Sequence, residues 1–353
     1  MKLVAPRSSS LLAGLAAVVA LASPFSSARA QTTPPSSGRS AAAPLPQGVR
    51  AFESAPINSM SWYGRFGLTN CSWIDLGEGV MVIDTGASAA DAQNLIAEIK
   101  RTTNGKPVRW IVMTHNHQDS NNGLTSFLPT DATIFVHEKS SAHVAAAVAK
   151  KGMKMPTVIG IGSKVFVASG IHGVEIGVMP GHTDHDIYAY SNEIGAMFIG
   201  DIITPGTPAL GATATSPEIR GTPGRCPMMS DPTVDPNAWL VALDTIAAHN
   251  PAVIIPTRGN ASELVGPDIA ITRKYIERIL EATIKAKKAN YPDSRVSGEL
   301  FMQRLGEYCP SQLDSLNALT VYHRISADGT VHGAATPKNV PVVKKAAPAA
   351  KKK

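Results

Sequence analysis

The chain is 353 residues long, enough for one large domain or two small ones. Its formal charge of +6 comes from its ends: residues 334–353 hold six Lys and no acid, and Lys2, Arg7 and Arg29 add three cations, which leaves residues 31–333 at −3. A mildly acidic body excludes a broad nucleic-acid-binding face. Beyond Leu11–Ala22 the chain carries no long apolar run, and a transmembrane helix needs roughly 20 such residues.

Lys2 and Arg7 precede that run, and Ala28-Arg29-Ala30 follows it. This is the layout of a secretory signal over residues 1–30, with cleavage before Gln31. The expected product is exported, periplasmic or secreted. Residues 31–50 are rich in Pro, Ser and Ala and read as a disordered linker. Residues 51–333 are expected to form the domain, ending in a helical extension. Residues 334–353 read as a disordered Lys/Ala/Pro tail, either solvated or touching anionic envelope surfaces. An oxidising compartment permits a disulfide. Cys226 and Cys309, each followed by Pro, are the favoured pair, and Cys71, inside a strand pattern, reads as a buried small hydrophobe.

Within the domain, residues 61–65, 70–75 and 80–84 read as strands, the last two joined by a Gly77-Glu78-Gly79 turn. A helix over 88–101 follows, with Ser88 as its N-cap, then a strand over 108–113. A short helix near 121–127, a strand over 132–136 and an Ala-rich helix over 138–150 come next. Strands near 164–168, 173–179, 186–190 and 196–200 make a second β set. Residues 203–235, dense in Pro, Gly and Thr, read as a long loop. A helix over 237–249, a strand over 252–256, a helix near 267–289 and one or two more elements over 296–325 complete the pattern. Two β-rich halves, each followed by helices, suggest sheets packed face to face with helices outside.

The chemistry concentrates in Thr114-His115-Asn116-His117-Gln118-Asp119-Ser120, directly after the apolar strand 108–113. Three more motifs stand at strand ends: Ile83-Asp84-Thr85-Gly86, Pro180-Gly181-His182-Thr183 and Ile199-Gly200-Asp201. Each alone is a weak signal. Four in this order resemble the metallo-β-lactamase superfamily, over roughly residues 57–290. The resemblance implies an α+β fold, a four-layer αββα sandwich. It also implies a zinc bound by His115, His117 and His182, with Asp119 and Asp201 as metal-facing carboxylates and Asp84 holding the loops. Three imidazoles leave a tetrahedral zinc one open position for water, whose pKa the metal lowers to about 7. Asp119 would then orient the nucleophile and carry its proton.

Two departures from the family pattern stand out. Most members carry His where this chain has Ser120. Near the last core strand, Pro256-Thr257-Arg258-Gly259 has Arg258 where the family usually has His. Some true β-lactamases do carry Ser at the first position, and Gly181-His182-Thr183-Asp184-His185-Asp186 is similar to their loop. They pair that Ser with a Cys where this chain has Asp201, and with a Lys where it has Thr204. A β-lactam is therefore a possible substrate but not the favoured one. Arg258 is always charged and cannot ligate zinc. It is expected either to pair with Asp119 or Asp201 in place of a second metal, or to bind a substrate anion or oxyanion. A surface position for Arg258 is the plain alternative. His185, three after His182, is a possible rescue ligand that stays outside the expected set, and the histidines at 137, 143, 172, 249, 323 and 332 lack ligand spacing and are not expected to be ligands. Trp62, Tyr63 and Phe66 are either a packed strand or part of the substrate cover.

Three functional readings follow. The first is an exported hydrolase with one zinc per chain, acting on a small carbonyl or ester substrate, with Asp119 and Arg258 as catalytic groups. The second is a mononuclear iron enzyme similar to persulfide dioxygenases, using His115, His182 and Asp201, the two-His-one-carboxylate set of non-haem iron oxygenases. The third is a non-catalytic binding protein that retains the fold.

Overall fold

The computed structural model describes residues 54–66, 69–128, 131–205, 227–302 and 311–332. The expected signal, linker and tail, and both Cys226 and Cys309, lie outside the described residues. One sheet holds seven strands in chain order: β1 (Ser54–Asn58), β2 (Ser61–Phe66), β3 (Thr69–Asp75), β4 (Val80–Ile83), β5 (Val108–Val112), β6 (Thr133–His137) and β7 (Val158–Ile161). β1 to β4 pair antiparallel, and β4 to β7 pair parallel. The second sheet is ordered β12-β11-β10-β9-β8, from β8 (Lys164–Ser169), β9 (His172–Val178), β10 (Ile187–Ser191), β11 (Ala196–Phe198) and β12 (Val253–Ile255).

The strand sequences explain the layering. Neighbouring residues on a strand point to opposite faces, and the central strands are apolar on both. In β3 to β6 the residues Ile74, Met81, Ile83, Val112 and Phe135 face the second sheet, where they meet Ile176, Ile187, Ala189, Phe198 and Ile255. Their neighbours Trp73, Val82, Ile111 and Ile134 face outward, onto Leu95 and Ile99 of α1 (Ala89–Thr102) and Val144 and Val148 of α3 (Ser141–Lys150). On the far side, Met197 and Ile254 of the second sheet pack under Trp239 and Leu243 of α4 (Pro236–His249). The same core takes in Tyr275 and Ile279 of α5 (Val265–Lys288) and Ala318 and Val321 of α7 (Ser311–Arg324). The result is helix, sheet, sheet, helix, the αββα sandwich. α6 (Asp293–Met302) packs between α5 and α7 in sequence and against both.

Local chemistry sets the helix starts. The Ser88 hydroxyl accepts the Asp91 N–H at 3.1 Å, and the Asp235 carboxylate accepts from Asn237 and Ala238, both at 3.0 Å, with Pro236 opening α4. Cys71 is fully buried in β3, as its strand pattern suggested. Trp62 and Phe66 pack on Trp73, with ring centroids at 6.3 and 6.1 Å, so those two belong to the wall of the core.

Several elements differ from the sequence reading. Instead of a helix near 121–127 there is a single turn, α2 (Gln118–Asn121), and a 3-10 turn over Leu124–Ser126. β11 ends at Phe198, because Gly200 adopts φ +58° to turn the chain toward Asp201. β1 and β7 were not expected. After α7 the chain makes one isolated bridge, Ile325 to Val331.

Candidate metal centre

The four motifs meet because their strands all end at one edge of the sandwich. β4 delivers Asp84, β5 the loop 114–120, β9 the loop 179–186 and β11 Asp201, and β12 adds Arg258. Asp84 ties these loops together. Its Oδ1 accepts from the Thr114 N–H and Asn121 Nδ2, both at 2.9 Å, and its Oδ2 from Thr114 Oγ1 at 2.8 Å and Thr257 Oγ1 at 3.0 Å. Burial pushes its carboxyl up to about 6 against those donors, which act to lower it. The two sheets are joined here by Ile187 N–H to Thr114 C=O at 2.8 Å, and Thr257 N–H reaches Gly200 C=O at 2.8 Å.

Hydrogen-bond partners assign the tautomer of each histidine. Thr114 Oγ1 gives its proton to Asp84, so it accepts from His115 Nδ1 at 2.9 Å. His182 Nδ1 donates to the Met228 carbonyl at 2.7 Å, and His117 Nε2 donates to Asp231 Oδ2 at 2.8 Å. Each ring therefore turns a lone pair inward: Nε2 of His115, Nδ1 of His117 and Nε2 of His182. Burial first, and the neighbouring imidazoles second, push His115 well below the usual histidine range and His182 down to about 4, so both stay neutral. His182 Nε2 stands 3.1 Å from His117 Nδ1, two lone pairs face to face. Asp201 Oδ2 lies 3.6 Å from both His115 Nε2 and His182 Nε2. One donor atom from each of His115, His117, His182 and Asp201 lies within 4.8 Å of all the others. A tetrahedral zinc with ligands at 2.0–2.1 Å needs donors roughly 3.4 Å apart. Among the described residues, His115 Nε2 and Asp201 Oδ1 are buried without a hydrogen-bond partner. Inward lone pairs, orphaned atoms and donor pairs 3.1–3.6 Å apart all fit a divalent cation.

Arg258 sits beside this cluster, its side chain 15% exposed. Nη1 donates to Asp201 Oδ2 at 2.5 Å and touches Met228 Sδ at 3.1 Å, and Nη2 donates to Asp119 Oδ2. Burial lowers the guanidinium to about 10, which leaves it charged at neutral pH. Burial, then Asp84 and Asp186, push Asp201 up. The guanidinium in contact works the other way and favours the ionised carboxylate. Asn70 holds the turn from below, donating through Nδ2 to Pro256 C=O at 2.9 Å and Gly259 C=O at 2.7 Å. Gly259, at φ +95°, has no room for a side chain, since a Cβ would stand 2.9 Å from the Pro205 carbonyl. Asp119, expected at the metal from its motif, lies outside the four-residue group. Its carboxylate is turned to Arg258 and its side chain is 35% exposed.

The model of the metallo-beta-lactamase superfamily matches residues 64–258, more than half of the chain. The chain belongs to that superfamily. The linear primary-alkylsulfatase of Pseudomonas sp. (strain ATCC 19151) is 24% identical over 283 residues, covering 67% of this chain and 51% of that protein. The chain thus spans about half the length of the curated relative it matches. Among solved structures, a stereoselective inverting sec-alkylsulfatase from Pseudomonas sp. superposes with a TM-score of 0.57 at 14% identity, covering 77% of this chain and 50% of that one. A metallo-beta-lactamase from Pontibacter korlensis gives 0.49 at 18%, covering 64% and 99%. At such identities these likenesses speak for the fold alone. The match to the metallo-beta-lactamase superfamily ends at Arg258, so α5, α6 and α7 lie beyond it.

Sequence reasoning missed the groups that aim the histidines. Asp231 is itself fixed by the Thr233 N–H at 2.7 Å and by Thr233 Oγ1. Burial raises its carboxyl, but the bonds from His117 and Thr233 outweigh this and hold it far below the usual carboxylate range. The local signal was Asp231-Pro232-Thr233, a turn sequence whose carboxylate caps the N–H two residues on. His185 bonds Asp184 and Asn116 and stays out of the cluster, and His249 pairs with Glu175 on the second sheet.

Proposed function

We propose that this chain is an exported hydrolase with one divalent metal per chain, zinc by preference, acting on small substrates with an ester-type bond. The observation that carries the reading is the convergence of three imidazole lone pairs and Asp201 beside a guanidinium. His115, His117, His182 and Asp201 would hold the cation. Zinc held there supplies Lewis acidity and a hydroxide nucleophile at neutral pH. Arg258 stands between Asp119 and Asp201, where its charge takes the role of a second cation and its outer face meets an anionic group of the substrate. Asp119, partly exposed and aligned by Arg258, accepts the proton of the attacking water and returns it to the leaving group.

Carboxylic esters, lactones and thioesters all suit this chemistry. The alkylsulfatase relative adds sulfate esters to the panel. A β-lactam remains a weaker candidate, because Asp201 and Thr204 stand where the similar lactamases have Cys and Lys. Export rests on the pattern of residues 1–30 and predicts a mature chain that starts at Gln31.

The test is metal content of the purified mature protein, with hydrolysis measured across carboxylic esters, lactones, alkyl sulfates and a chromogenic β-lactam. About one zinc per chain, with activity lost in His115→Ala, supports the reading. A protein that takes up no divalent metal refutes it. Because His115 and His182 are equidistant from Asp201 at 3.6 Å, the same residues also offer an iron-binding two-His-one-carboxylate set. Iron in the purified protein, with oxygen consumed on a persulfide, would move the assignment there.

A further inference from the structure

We infer that Asn317, on the last helix and outside the region matched by the superfamily, is a positioning residue that sets the metal affinity of the centre by aiming His182; the inference rests on the three-histidine reading above. Asn317 is fully buried. Its Oδ1 accepts the Met229 N–H at 2.8 Å, and its Nδ2 donates to Pro227 C=O at 2.8 Å and to Tyr275 Oη at 2.9 Å. Tyr275 in turn donates to Asp314 Oδ1 at 2.9 Å, one turn earlier on α7. Both amide hydrogens of Asn317 are used, in a network that joins α5 and α7 to the segment 227–229.

The two backbone bonds bracket Met228. The peptide between Met228 and Met229 is planar, with its N–H and C=O pointing in opposite directions. Holding the Met229 N–H on Asn317 therefore fixes the direction of the Met228 carbonyl. That carbonyl accepts His182 Nδ1–H at 2.7 Å, which sets the tautomer of the ring and the aim of Nε2. The Pro227 bond fixes the peptide on the other side, and the Met228 side chain lies on Arg258 Nη1 at 3.1 Å. One carboxamide thus governs how the segment meets both the third histidine and the guanidinium. Leu or Ala at this position fills space but offers neither bond. Partners that orient a ligating imidazole typically matter 10–100-fold for metal affinity. Asn317 stands one step further out, so about tenfold is expected.

The experiment uses the full mature protein. Zinc affinity is measured by competition with a chromophoric chelator, and the visible absorption of the cobalt(II) form reports the ligand field. Asn317→Ala is expected to weaken zinc about tenfold and to change the cobalt spectrum. Asn317→Asp keeps the acceptor for Met229 but loses the amide donor to Pro227, and serves where the alanine variant does not fold. It is expected to weaken zinc by at least about threefold. Val321→Ala is the control: it lies one turn on, is buried in the same core and has no polar side-chain group to join the network. It should lower the melting temperature and leave zinc affinity and spectrum unchanged. Equal losses of affinity in Asn317→Ala and Val321→Ala, or none in either Asn317 variant, overturn the inference while the metal centre stands. Wild-type zinc binding by His182→Ala overturns the centre and the inference with it.

Discussion

Replacing Arg258 with methionine tests what the guanidinium does for the protein before any metal is added. The change keeps most of the apolar stem and removes the cation. Asp201, with a side chain 1% exposed, then loses its guanidinium partner. Removing one partner of a buried ion pair costs about 3–5 kcal/mol. A second route gives the same figure. The stranded carboxyl escapes by taking a proton, and protonating a group of ordinary pKa near 3.9 costs about 4 kcal/mol at pH 7. The pairing with Asp119 adds little, because that carboxylate is partly exposed and such pairs are worth under about 1 kcal/mol. The sign with pH follows from linkage. With the guanidinium gone, the burial that pushes Asp201 up acts unopposed, so the folded carboxyl of the metal-free variant holds a proton that the unfolded chain releases above about pH 4. Stability is therefore lost as pH rises from about 4 toward the folded pKa. The deficit against wild type should be about 4 kcal/mol at pH 7 and about 1.5 kcal/mol at pH 5. Urea unfolding of both metal-free proteins at the two pH values reads this directly. A deficit under about 1 kcal/mol at pH 7, or one indifferent to pH, would refute the argument. Saturating zinc should restore most of the loss, since the cation then balances Asp201.

Three further outcomes are expected. Calorimetric zinc titration should show one site in wild type and two in Arg258→His, which puts an imidazole beside Asp119 and Asp201; two tight sites in wild type would end the one-metal reading. Asp119→Asn should keep its zinc and lose about 10²–10⁴-fold in kcat, with steady-state kinetics and metal content measured on the same preparation. In the second sheet, burial raises the Glu175 carboxyl, but bonds from Tyr188, His249 and Lys164 outweigh it and hold the group down at about 2. Its contribution is present above about pH 4.5 and lost as pH falls toward 2, so the stability gap between wild type and Glu175→Gln, followed by denaturant unfolding, should narrow over that interval.

The elements that were legible in the sequence are those whose signal is local. β3, β4 and β6 read as strands because both faces are buried, and β5 because it ends in the buried Ile111 and Val112, which leaves short apolar runs with clear breaks. α1 announces its start through Ser88, whereas α4 opens at Pro236, after its Asp235 cap, one residue before the expected 237. β1 and β7 escaped because they are sheet edges: Pro56 in one and Gly160 and Gly162 around the other break the apolar pattern that marks a central strand. The helix placed over 121–127 fails for a tertiary reason. Gly123 lies against the Thr85 carbonyl, so closely that a Cβ there would stand 2.2 Å away, and the chain turns under that strand end.

For the site, the sequence by itself determined the candidate ligand types and their strand-end placement, because His115-Asn116-His117, His182 and Asp201 each sit in a short motif with its own local grammar. It also exposed Ser120 and Arg258 as departures. Only the tertiary structure decided what the departures mean. Arg258 meets Asp201 and Asp119 across 57 and 139 residues of chain, a contact that no spacing encodes. The tautomers belong to the same class: Thr114, Asp231 and the Met228 carbonyl choose which nitrogen of each ring keeps its lone pair, and Asn317 binds the neighbouring Met229 N–H across 88 residues of chain. Sequence specifies which groups are available within a turn or a strand. Which of them share a proton, a charge or a cation depends on through-space distances, and those exist only once the two sheets have packed.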